Sequence, residues 1–134
     1  MEHLGTKELE TERLILRKFT PNDAQNMFNN WASDNEVTKY LTWPTHKNIN
    51  VTLNILEQWL QNYIKMDNYS WAIVLKEINE PIGSIAIVKQ SDELKIVHVG
   101  YCIGKKWWNK GFVTEALNIL IKFVSIQPDS MQNI

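Results

Sequence analysis

Residues 107–114, Trp-Trp-Asn-Lys-Gly-Phe-Val-Thr, hold the chain's most pointed chemical combination. They follow an apolar run and lead into the clearest helical period, so they lie at a helix mouth. Helix starts favour Ser, Thr, Asp or Asn as caps, and Asn109 suits that role. Capping needs neither Lys110 nor Gly111, and a glycine weakens a helix by about 1 kcal/mol relative to alanine. First-turn N–H groups have no partner inside a helix and lie at the positive end of its dipole. A bare backbone at Gly111, the charge of Lys110 and the hydroxyl of Thr114 therefore suit a phosphate or pyrophosphate. The same residues also fit an ordinary strand-to-helix turn with a solvated lysine. Neither GxxxxGK[ST] nor GxGxxG occurs.

Cys102 is the only cysteine. It reads either as a covalent acyl carrier or as a small buried strand residue, and with no activating partner in view the second is preferred. One cysteine allows no disulfide within the chain, which fits a reducing cytoplasm. At 134 residues the chain is long enough for one domain with its own core. Lys and Arg number 14 against 15 Asp and Glu, a net charge of −1. That balance gives no basic field for nucleic acid or an anionic membrane. No apolar run approaches the roughly 18 residues of a membrane span. The charged N-terminus lacks the apolar stretch of a secretory signal, and no metal site is indicated.

The elements that must position these residues follow from periodicity. Residues 1–12 read as a polar lead-in and Leu14–Phe19 as a strand. Thr20, Pro21 and Asp23 mark a helix start, with Ala24, Met27, Phe28 and Trp31 on its buried face. Glu36–Asn48, broken by Pro44, is a turn or short helix plus loop. A second helix is predicted over Asn50–Lys65, with a stripe of Leu53, Leu56, Trp59, Leu60, Tyr63 and Ile64. Strands at Tyr69–Leu75, Ile82–Val88 and Leu94–Ile103 form a meander, and Gly100 marks a bulge or a close backbone approach. The last helix runs from Gly111 to about Ser125 on Val113, Ala116, Leu117, Leu120, Ile121 and Val124. Ser130–Ile134 begins a further strand. The layout is α+β, with helices on a mostly antiparallel sheet.

Three stretches in order, ETERLILRKFTPNDAQNMF, NEVTKYLTWPTHKN and VGYCIGKKWWNKGFVTEAL, resemble the RimJ/RimL-like branch of the GNAT superfamily of acyl-CoA-dependent N-acetyltransferases. The likeness covers roughly residues 10–134. It implies that the backbone of Tyr101, Cys102 and Ile103 splays from a neighbouring strand to pair with the pantetheine arm of acetyl-CoA. Asn109, Lys110, Gly111, Phe112, Val113 and Thr114 match the segment that wraps the pyrophosphate. Trp108 stands where the motif has Gln or Arg, and Val113 where it has Gly or Ala.

Acyl transfer to an amine needs a neutral amine, stabilisation of the developing oxyanion, and a proton for the departing thiolate. The resemblance implies oxyanion donors in the backbone near Tyr101–Ile103 and a base on the same strand. That strand holds no carboxylate, and His98 is the nearest titratable group. With an ordinary pKa near 6.5 it suits a base or proton relay, or it is a hydrogen-bonded strand histidine. Glu36 is a candidate amine-steering charge, and Trp107 and Trp108 line or underlie the helix mouth.

A domain of this branch continues with more strands and a helix, so the chain is expected to be shortened at its C-terminus. An open strand edge would then favour a homo-oligomer. The expected activity is direct acetyl transfer from acetyl-CoA to a primary amine, either a protein N-terminus or a small amine. The competing readings are a catalytically impaired acyl-CoA-binding remnant and a plain interaction module.

Overall fold

In a computed structural model, alternation of apolar residues along the strands builds one antiparallel sheet with two buried faces. The structure describes residues 5–39, 44–64, 69–91 and 96–125, with the side chains of 88–91, 96–98 and 125 outside that description. The predicted strand stub at Ser130–Ile134 and Trp43 lie outside the described residues, as does the side chain of His98. Strands β1 (Leu9–Glu10), β2 (Leu14–Arg17), β3 (Tyr69–Leu75), β4 (Glu80–Ser91) and β5 (Ile96–Ile103) are adjacent in chain order, and every pair is antiparallel.

Side-chain alternation assigns the two faces. Tyr69, Trp71, Ile73 and Leu75 of β3 join Leu14 and Leu16 of β2 under the last helix, α4 (Phe112–Ser125). Ala72 and Val74 point the other way with Cys102, into a core shared with Phe19, Met27, Trp31, Val37 and Leu56. Those residues come from α1 (Ala24–Met27), α2 (Asn35–Thr38), α3 (Ile49–Asn62) and the turns beside them. The α4 face is keyed by aromatics. Phe123 meets the Trp71 ring edge-on at 5.5 Å and the Tyr69 ring at 5.9 Å.

The first helix starts as its sequence predicts, in a 3-10 turn at Pro21–Asp23 behind Thr20. Asp23 Oδ2 accepts from the Thr20 amide at 2.7 Å, and the carboxylate forms a bidentate pair with Arg17 at 2.8 and 3.0 Å. After Met27 the helix widens into a π turn, Phe28–Ala32. Asn30 within it donates from Nδ2 to the Pro81 carbonyl at 2.8 Å, tying this layer to β4.

Three sequence expectations shift. The lead-in is partly a strand, because Leu9 and Glu10 pair with Leu16 and Ile15. Trp71 Nε1 also donates to the Lys7 carbonyl at 2.6 Å. On α3 the fully buried positions are Thr52 and Leu56, while Leu53 and Ile64 face solvent. Thr52 is drawn inward by a 2.7 Å hydrogen bond to His46 Nδ1. On α4, Phe112, Ala116, Leu120, Phe123 and Val124 are buried and Ile121 is turned out. That is a rotation of the buried face towards the aromatic cluster.

The bulge expected near Gly100 lies across from it, in β4. Register slips between Ile87 and Lys89, opposite Val99 and His98, and again where Ile73 and Val74 pair with Gly83 and Pro81. The second slip places Gly83 against β5. A Cβ there would lie 2.2 Å from the Cys102 carbonyl oxygen and 2.9 Å from Ile103 Cα.

Gly83→Ala is expected to cost about 3 kcal/mol, the upper end of overpacking penalties, because the obstacle is backbone. Urea denaturation of parent and variant measures it. His46 is buried, and loss of hydration lowers its pKa. The unfolded imidazole takes up its proton near pH 6.5. Its contribution to stability is therefore complete above about pH 6.5 and declines as the pH falls through that value. His46→Gln should flatten the loss of stability between pH 7.5 and 5.5, measured by the same denaturation. The bound carboxylates Glu36 and Glu115 are shifted down, so they stay ionised through this range and their contribution is lost only at more acid pH.

Candidate functional site

The end of β5 is fixed from two sides by missing side chains. Gly83 lets β4 close on Cys102 and Ile103. Gly104 lets the π turn close from the helix layer: a Cβ there would sit 2.3 Å from the Asn30 carbonyl oxygen and 2.6 Å from the Trp107 ring. The Gly104 amide donates to the Ile82 carbonyl at 2.8 Å, so β5 stays bonded to β4 to its end. Its other edge has no partner strand among the described residues.

From there the chain makes a 3-10 turn, Lys105–Trp107, which drops Trp107 into the core beneath Phe112. Trp108 is extended, and its indole N–H donates to the Ile103 carbonyl at 2.8 Å. The backbone next reverses sign twice. Asn109 has φ +62 and Gly111 has φ +81, while Lys110 between them is not in the positive region. Alternation of this kind points successive N–H groups into one concavity, a shape suited to anions. Asn and Gly enter the left-handed region at least cost.

These angles correct the capping expectation. Helix α4 begins at Phe112, so Gly111 holds the capping position and Asn109 shapes the turn before it. The glycine is required by its φ, whether or not a ligand binds. It also leaves the mouth open, since the nearest atom to a Cβ placed there is Arg13 Nη2 at 3.4 Å.

Strand end, turn and helix mouth enclose a cavity of about 600 Å³. Tyr101, Cys102 and Ile103 line it from β5, with Trp107, Trp108 and Asn109 from the turn. Gly111, Phe112, Val113 and Thr114 line it from the helix, and Val37 closes it from α2. Of the residues the sequence reading grouped around a cofactor, all but Lys110 are on this lining. Lys110 is exposed between Asn109 and Gly111, and its carbonyl accepts from Arg13 Nη1 at 3.1 Å.

Individual groups sort by their surroundings. Burial raises the pKa of the Cys102 thiol and outweighs the opposing hydrogen bonds from Ser84, whose Oγ lies 3.4 Å from the sulfur, so Cys102 is a poor nucleophile. Glu36 bonds to Lys39 Nζ at 3.0 Å; that hydrogen bond, and then the charges of Lys39 and Lys105, lower its pKa. His98 is described only by its backbone, which pairs with Lys89. Among the described residues, no three His, Cys, Asp or Glu side chains converge as a metal site. No described helix is long and apolar enough to cross a membrane.

Glu115 lies in the first turn of α4, where a carboxylate favours the helix dipole, and it does more. Its Oε1 accepts from Arg13 Nε at 2.7 Å, and its Oε2 accepts from the Arg13 amide at 3.0 Å and from the Thr11 hydroxyl. Burial alone would raise its pKa, but these bonds from Thr11 and Arg13 outweigh it and lower the pKa. Arg13 also stacks on the Phe112 ring at 4.3 Å. Sequence reasoning missed Arg13 because its partners lie about a hundred positions away, and missed Val37 because nothing marks it in the sequence.

Comparison with known proteins bears on the fold and the family. The family model described as "Acetyltransferase (GNAT) domain" matches residues 13–131. The uncharacterized N-acetyltransferase p20 of Bacillus licheniformis is 31% identical over 115 residues, and YoaA of Bacillus subtilis (strain 168), also an uncharacterized N-acetyltransferase, is 28% identical over the same length. Each match covers 86% of this chain, which spans 64% of the length of these curated relatives. The fold superposes with a TM-score of 0.74, at 14% identity, on RimL, a ribosomal L7/L12 alpha-N-protein acetyltransferase in complex with coenzyme A; the match covers 92% of this chain and 70% of that one. The sheet, the helix mouth at its edge and the span of the family match lead to one conclusion: the chain belongs to the GNAT acetyltransferase family.

Proposed function

We propose that this protein binds acetyl-CoA in the cavity between the end of β5 and the mouth of α4, and transfers the acetyl group directly to a primary amine. The observation that carries this reading is the helix mouth itself. Two positive-φ residues flank Lys110, and the helix start behind them is bare of side chain at Gly111. Unpaired amides at the positive end of a helix favour a pyrophosphate, with Asn109, Lys110, Gly111, Phe112, Val113 and Thr114 around it. The backbone of Tyr101, Cys102 and Ile103 would lie along the pantetheine arm.

Bound there, acetyl-CoA supplies an activated thioester. The protein's tasks are to hold it, to offer backbone N–H groups near Tyr101–Ile103 to the oxygen where charge develops, and to accept a proton from the attacking amine. A C–N bond forms as the C–S bond breaks, and the proton ends on the departing sulfur. His98, on the same strand, is the proposed proton acceptor and relay. The fold shared with RimL supports a protein N-terminus as acceptor; a small amine would place the same demands on the site. Cys102, kept as a thiol, suits a reducing cytoplasm. One observation favours a weaker grip, the second reading of a binding remnant: Val113 lines the cavity with a branched side chain.

Coenzyme A at a hundredfold excess over its Kd should stabilise the chain by about 2.7 kcal/mol, read as a rise in Tm. Gly111→Ala and Gly111→Glu both force a side chain into positive φ and should lose similar stability, roughly 1–2 kcal/mol. Only Gly111→Glu also sets a carboxylate against the phosphates. Calorimetry should find binding retained in Gly111→Ala and absent in Gly111→Glu; equal affinities in the two would refute the site. His98→Ala should leave CoA affinity unchanged and slow amine-dependent thiol release from acetyl-CoA by about 10²-fold or more. An unchanged rate would remove His98 from the chemistry, and no release with any amine would leave the binding-remnant reading.

A further inference from the structure

The first turn of α4 contains a contradiction. A carboxylate there stabilises the helix, yet a negative charge at the mouth opposes any anion bound by the same amides. Glu115 is that carboxylate, and Arg13 resolves the conflict.

We propose that Arg13, at the entry to β2, is a positioning residue for the pyrophosphate loop: it turns the Glu115 charge out of the helix mouth and pins the loop backbone at Lys110. This rests on the pyrophosphate reading above and assigns the groups that make that mouth usable. Both Glu115 oxygens are engaged on the β2 side, Oε1 by the Arg13 guanidinium and Oε2 by the Arg13 amide and Thr11. The guanidinium reaches past Glu115 to the Lys110 carbonyl at 3.1 Å. Its Cζ lies over the ring of Phe112, the first helical residue, 4.3 Å from the centroid. A planar fork can bond and stack at once; the lysine ammonium cannot. One side chain thus contacts both neighbours of Gly111, the Lys110 carbonyl and the Phe112 ring, around a residue that otherwise has unusual freedom.

The test is calorimetric titration with CoA of the parent, Arg13→Gln, Arg13→Lys and the double variant Arg13→Gln/Glu115→Gln. Pantetheine, which lacks the phosphates, is followed in parallel by ligand-observed NMR. Arg13→Gln should raise the Kd for CoA about tenfold and leave pantetheine binding unchanged. Arg13→Lys should fall between it and the parent. Removing the carboxylate as well should bring the double variant back to within about threefold of the parent. A helix merely loosened by loss of Arg13 would not be repaired by deleting its other partner. Equal CoA affinity in parent and Arg13→Gln overturns the inference, as does a double variant no better than the single one, or equal weakening towards pantetheine. If Arg13→Gln does not fold, Arg13→Lys with and without Glu115→Gln carries the same comparison. A parent that does not bind CoA overturns the pyrophosphate reading, and this inference with it; a parent that binds while the variants match it overturns the inference alone.

Discussion

The end of β5 is pressed from two sides, by β4 at Gly83 and by the π turn at Gly104, and much of the rest of the molecule is arranged around that constraint. On one side its own Cys102 carbonyl sits where a side chain at Gly83 would have to be. On the other, the Asn30 carbonyl occupies the space beside Gly104. Neither obstacle is the flexible tip of a side chain, so neither can move cheaply. The Ile103 carbonyl is held in place as a result, and it receives the Trp108 indole. Through Trp108 the position of the strand end is passed to the turn and then to the start of α4. The cavity inherits its floor from steric exclusion rather than from any one attractive contact.

Electrostatics act on that frame. Lys105, Lys106 and Lys110 are exposed along the turn, and the helix dipole adds partial positive charge at the same end. Each nearby carboxylate with a shifted pKa is already engaged: Glu115 by Arg13 and Thr11, and Glu36 by Lys39. A chain with nearly balanced net charge can still present a locally positive mouth when its acids are internally satisfied. Packing from the other side does not disturb this, because Trp107 and Phe112 fill the space beneath the turn with apolar surface.

The fold was largely legible in the sequence because its periods are clean. Tyr69–Leu75 was bounded as a strand to the residue, and the helix after Gly111 to within one position. Thr20, Pro21 and Asp23 announced the first helix by types that local chemistry demands. Features set by distant contacts were not legible. Leu53 fits a helical stripe as well as Thr52 does, and the bond between Thr52 and His46 that accompanies the inward position is not announced by the sequence. The bulge was sought at Gly100, but the extra residues lie in β4. At the candidate site, the run from Tyr101 to Thr114 could be found because it is contiguous. Val37 on the lining and Arg13 beside the helix mouth come from elsewhere in the chain, and their types alone do not place them there.

The π turn at Phe28–Ala32 has a consequence for how this scaffold can vary. It accommodates one residue more than an α-helical turn would, and each residue rotates the helix by about 100°. Removing that residue would swing the Asn30 amide off the Pro81 carbonyl and withdraw the main-chain oxygen that abuts Gly104. A length change in an outer helix, ordinarily absorbed by the adjoining loop, would here reach the cavity floor directly. A one-residue insertion or deletion in this layer would therefore need a compensating change beside it to leave the strand end in place.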